Sequence, residues 1–132
     1  MQHRHVKSLP LGGATVVAIA RDTLEAINEA TCWSGPTPQV AELLDEFVQA
    51  IGAAPGGVVV DMRDTRFLDH ASVSVVFRLA RLLAEHNKPR LICCSREVKG
   101  ILDVCRLNTI CLNATDLEEA VAVLAQGQKV QA

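Results

Sequence analysis

The sequence predicts an α/β domain: four or five strands in a mixed, mostly parallel sheet, with about four helices. Three observations carry that expectation. Short β-branched runs such as Val58 to Val60 alternate with stretches whose apolar residues recur at helical spacing. Glycine, proline and helix-capping residues punctuate the boundaries between them. The 132 residues, 49% hydrophobic and 21% charged, suit one globular core that buries roughly two-thirds of the unfolded surface.

The elements follow in order. Val6 to Leu11 and Ala14 to Ala20 flank Gly12-Gly13, the pattern of two antiparallel strands joined by a tight turn. From Arg21 to Pro36 the chain reads as an extended piece or one to two helical turns. Thr37-Pro38 then offers an N-cap followed by proline at the first helical position. Val40, Leu43, Leu44, Phe47, Val48 and Ile51 form the buried stripe of the helix that follows, and Gly52 begins its end.

Gly56-Gly57 precede Val58-Val59-Val60, a strand buried on both faces. A polar connector, Arg63-Asp64-Thr65-Arg66, leads to Phe67-Leu68, both expected to turn back toward the core. Asp69 occupies an N-cap position before a helix running from about Ala71 to Glu85. Its expected buried stripe is Val73, Val76, Phe77, Ala80 and Leu83. Arg90 to Cys94 is a further strand, and Ser95 caps a helix reaching about Val104. Leu107 to Leu112 reads as a last short strand. Thr115-Asp-Leu-Glu118 is a capping box opening the final helix, with Leu117, Ala120, Val121 and Leu124 inward. The core spans about residues 6–125, with 126–132 a polar tail.

Composition excludes several classes of function. Net charge is −2 and aromatic residues are 3%, so there is neither a basic stripe for phosphates nor a stacking platform for bases. Nucleic acid is not an expected partner. No apolar run approaches the ~20 residues that span a bilayer, and Met1 to Lys7 lacks a signal peptide's apolar segment. The expected location is therefore cytoplasmic, away from membranes.

The five cysteines are Cys32, Cys93, Cys94, Cys105 and Cys111, an odd number without a C-x-x-C pair. They read as reduced and mostly buried, Cys32 being the most exposed, and not as a disulfide framework or zinc site. His3-Arg4-His5 places two imidazoles on one strand face without a third ligand, so no metal is expected. The glycine pairs lack the lysine and serine of a phosphate loop, and no cofactor is expected.

The order of these segments and their residues resemble the STAS domain of anti-sigma factor antagonists and of sulfate-transporter cytoplasmic ends. Val59-Val60-Asp61-Met62 and Phe67-Leu68-Asp69 fit that family's strand and loop. Ser95, Val98, Ile101, Leu102, Val104 and Leu107 follow its next helix, and Thr115 to Val121 echo its last. The likeness runs from about Val6 to Leu124. It implies a non-enzymatic regulatory module that docks a protein partner through the strand–loop–helix around Asp69. Arg66, Asp69, His70, Ala71, Ser72 and Ser74 are the implied contacts. The partner class is an anti-sigma factor kinase or a related signalling protein.

The sequence departs from that family where it matters most. Directly after the aspartate, where switching members carry a phosphorylatable serine, stands His70; Ala71 and Ser72 follow. An imidazole cannot accept a serine kinase's phosphate as an ester, so the usual switch is expected to be absent. Ser72 is the alternative acceptor, because a helix N-terminus favours an anion. That same positive end disfavours a charged imidazolium at His70. Three other readings remain open: a small enzyme using His70, a phosphohistidine carrier at that residue, or a STAS subunit of a lipid-transport ATPase complex. An enzyme needs a nucleophile, base and orienting group, and no Ser-His-Asp or Cys-His spacing supplies them. Arg78 and Arg81, three residues apart on the exposed side of their helix with Glu85 beyond, read as a solvated face or a docking surface for an acidic partner. The sequence leaves open a homodimer.

Overall fold

A computed structural model describes residues 5–24, 38–107 and 111–130, the side chains of 38, 39, 70 and 126–130 excepted. The sheet has five strands in the order β1 (Val6–Leu11), β2 (Ala14–Ile19), β3 (Val58–Asp61), β4 (Leu91–Cys93) and β5 (Leu112–Ala114). β1 and β2 are antiparallel; β2 through β5 are parallel. The β1–β2 turn needs two residues with positive φ. Gly12 (55°) and Gly13 (86°) supply them as a type I′ turn whose twist matches that of the strands.

Between the parallel strands run α1 (Pro38–Ala53), α2 (His70–Glu85) and α3 (Arg96–Val104). Each crossover advances one strand in the same direction. Right-handed connections therefore put all three helices on one face. Val17, Ile19, Val58, Val60, Met62 and Ile92 meet them there in the larger core. The opposite face, with Ala14, Val59, Leu91, Cys93 and Ala114, packs against Ala120 and Leu124 of α4 (Leu117–Val130). At the flanks of that second face Leu9, Leu11 and Leu112 stay largely exposed.

β1 is an edge strand whose start is tied to α1. The amides of His5 and Val6 both donate to Glu46 Oε1 of α1 (2.9 and 3.3 Å), and Pro10 contributes no N–H. Behind them the His5 ring is within hydrogen-bond distance of Thr23 Oγ1 (2.7 Å) and Glu42 Oε2 (3.0 Å). His5, considered above only as a metal ligand, thus helps fasten the sheet edge to α1.

Several expectations need correction. α2 buries Ser72, Val75, Val76, Leu79, Ala80 and Leu83, while Phe77 is 41% exposed. The inward stripe is rotated toward Val75 and Leu79, which share a face with Val76, Ala80 and Leu83. Phe67 is also exposed, at 59%, and only Leu68 turns into the core. The last strand lies at Leu112–Ala114, later than expected: Leu107 is buried in the larger core ahead of it, and residues 108–110 lie outside the described residues. Asp116, not Thr115, caps α4, accepting from the Glu119 amide at 2.7 Å. That helix continues through most of the supposed tail, to Val130. Residues 21–24 are helical, which favours the helical of the two readings left open for the segment from Arg21. The rest of that segment, the Thr37 cap, His3 and Cys32 lie outside the described residues.

Candidate functional site

The singled-out residues gather at the carboxyl end of β3 and the start of α2, at the rim of the parallel sheet, where open α/β folds tend to place their sites. The loop is built from β3 outward. Asp61 closes the strand and accepts from Arg63 twice over, at 3.0 Å from Nε and 3.2 Å from Nη2; the Arg63 amide also donates to it, at 3.0 Å. This hydrogen bond, with the carboxylate's charge, holds the Arg63 guanidinium above its ordinary pKa. The Thr65 amide donates to the Met62 carbonyl (3.1 Å), completing a tight turn. Thr65 is fully buried, and its hydroxyl has no partner among the described residues.

The chain then alternates outward and inward. Arg63, Asp64, Arg66 and Phe67 are exposed, while Leu68 is 2% exposed. Asp69, with extended backbone, is the N-cap of α2: its Oδ1 accepts from the amides of Ala71 (2.9 Å) and Ser72 (3.1 Å). Ser72 reciprocates, its Oγ accepting from the Asp69 amide at 2.9 Å. The capping box thus satisfies donors that a helix start otherwise leaves unpaired. Sequence reasoning found the aspartate. It did not find serine at the third helical position closing the box, because glutamate or glutamine is the usual signal there.

The structure brings Arg66, Asp69, His70, Ala71, Ser72 and Ser74 into one continuous segment and differentiates among them. Arg66 and Ser74 are exposed, Asp69 and Ala71 half-buried, and Ser72 fully buried. His70 is the first residue of α2, and its side chain lies outside the described residues. Phosphorylation of Ser72 would require opening the first turn of α2, whereas Ser74 is accessible as it stands. Phe67, missed as a site residue because an apolar pair was read as core, is the segment's largest exposed apolar group.

The chemistry these groups can perform is limited by where they point. Asp61 shares a sheet face with Cys93 and Ala18, the face of α4, and α2 lies on the other side. Asp61 and Asp69 are therefore not a facing carboxylate pair. Burial pushes the Cys93 thiol up to about 11, helped by the negative charge of Asp61. Burial likewise pushes Cys94 to about 12 and Cys111 to about 11. All three stay protonated near neutrality and are poor nucleophiles. Cys105, expected to be buried, is exposed just beyond the end of α3. Among the described residues no group of three or more histidines, cysteines or carboxylates could hold a metal ion. No helix among them is long and apolar enough to cross a membrane.

Comparison with protein-family models and with curated proteins finds no match to this chain.

Proposed function

We propose that this protein is a non-enzymatic binding module of the STAS type, resembling an anti-sigma factor antagonist. It docks a protein partner through the β3–α2 loop and the first turn of α2. The observation that carries the reading is how the polar groups there are engaged. The Asp69 carboxylate and the Ser72 hydroxyl serve the helix cap, so neither is arranged as a catalytic acid or nucleophile. Arg66, Phe67 and Ser74 are among the side chains that face outward. Aromatic residues, phenylalanine included, and arginine are the side chains enriched at the cores of protein interfaces. The expected partner is an anti-sigma factor kinase or a related signalling protein, and binding proceeds without the family's serine switch.

The test is affinity capture from native lysate with wild type, Phe67→Ala, Arg66→Ala and His70→Glu, followed by mass spectrometry. A kinase-like signalling protein retained by wild type and lost with Phe67→Ala supports the reading. Capture indifferent to every one of these changes overturns it. Incubation of the captured kinase with ATP and wild type then addresses the switch. An unchanged intact mass is expected, whereas a phosphate on Ser74 or Ser72 would mean that the switch has moved along the helix.

A further inference from the structure

Away from that loop, α1 and α2 leave an open groove of about 410 Å³ between them. Its floor is apolar, from Leu44 and Val48 on α1 and Leu82 on α2, each only half-buried. Its rim is charged: Asp45 on α1, and Arg78, Arg81 and Glu85 on α2. The side chains of Arg78, Arg81 and Glu85 make no hydrogen bond or ion pair with another described residue. Two cations and two anions thus border an apolar strip, all four exposed.

We propose that this groove is the contact between two copies of the chain, related by a two-fold axis that sets the α2 helices antiparallel. The arrangement of charge favours this occupant over an acidic partner. The rim sums to zero, so a uniformly acidic helix drawn to the arginines would be repelled by Asp45 and Glu85. A second copy meets no such conflict. With the axis crossing α2 between Arg81 and Leu82, Arg78 of one copy lies opposite Glu85 of the other, and the reverse pair forms by symmetry. Such self-complementarity is what an isologous interface requires. Leu44, Val48 and Leu82 of both copies then close over one another and lose water, which supplies the favourable energy while the charges fix the register. This contact lies apart from the β3–α2 loop and leaves it open to a different partner.

Sedimentation velocity of the full chain across a concentration series tests the proposal. Wild type is expected to dimerise. Arg78→Glu and Glu85→Arg should each raise the dissociation constant on the order of tenfold or more, because each sets like charges opposite one another at two symmetric places. The double variant Arg78→Glu/Glu85→Arg rebuilds both pairs with exchanged sign and should recover dimerisation to within a few-fold. Both positions are exposed, and unchanged circular dichroism serves as the folding control. A wild type that stays monomeric at every concentration overturns the proposal. So does a dimer indifferent to both reversals, or a double variant no better than the singles.

Discussion

Asp69 shows how far one side chain can be read from sequence, and where its surroundings take over. An acidic residue before an apolar-periodic run predicts a cap, and the carboxylate does accept from two amides of the first turn. Asp69→Ala should cost about 1 kcal/mol of stability, the usual worth of such a cap, measured as a shift in urea midpoint. Ser72→Ala should cost a similar amount, since it leaves the Asp69 amide without its partner; an unchanged midpoint for both variants would mean the box contributes nothing. Of the cysteines, Cys93, Cys94 and Cys111 are buried as expected, whereas Cys105 is exposed because α3 ends just before it. A thiol reagent should modify Cys105 before Cys93, Cys94 or Cys111, and faster labelling of Cys93 would contradict its burial. Those three thiols also link stability to pH. Their folded pKa values, about 11 to 12 against an ordinary 9.0, mean that the native state keeps protons that the unfolded chain releases. Their contribution is complete below about pH 9 and is lost as pH rises through 11 to 12. The midpoint should therefore fall between about pH 8 and pH 10.5, and less steeply in a Cys94→Ala/Cys111→Ala variant. An equally steep fall there would assign the alkaline loss to other groups.

Among the elements, β3 and α2 were legible because pattern and punctuation agree: a β-branched run after two glycines, then a capped amphipathic helix. The phase of α2 was not. Val73, Val76, Phe77, Ala80 and Leu83 make one plausible stripe; Val75, Val76, Leu79, Ala80 and Leu83, the buried set, make another a fraction of a turn away. Choosing the stripe with the aromatic residue was wrong, because the sheet and α1 decide which side faces in. The consequence is measurable. Leu79, fully buried, should lose about 2–5 kcal/mol on substitution by alanine, whereas Phe77→Ala should lose only about 1 kcal/mol. Comparable losses for the two would restore Phe77 to the core. The last strand was expected, but its place at Leu112–Ala114 was not, for a related reason. Its three residues have no distinctive pattern, and what makes them a strand is pairing with β4, Leu91 opposite Leu112 and Cys93 opposite Ala114.

The sequential strand order makes the two faces of the sheet unequal: α1, α2 and α3 cover one and α4 covers the other. The second core is correspondingly small, and its seating depends on close approach at Gly57. A Cβ placed there would lie 2.5 Å from Leu124 Cδ2 and 2.9 Å from its Cγ, so the Leu124 side chain rests on the strand's bare backbone. Gly57→Ala should then push α4 away from β3 at a cost of about 1–3 kcal/mol, the usual range for overpacking. The strain falls on a helix held by few other residues. Hydrogen exchange should accordingly rise in the amides of α4 well before those of β3, whose other face belongs to the larger core. Leu124→Ala alone should also destabilise, by opening a cavity. Combined with Gly57→Ala, however, it removes the very atoms that the new methyl group meets. The double variant should lose less than the sum of the two single losses, the signature of residues in direct contact. Additive losses, or α4 exchange no faster than in wild type, would mean that α4 is not seated on Gly57 as the structure places it.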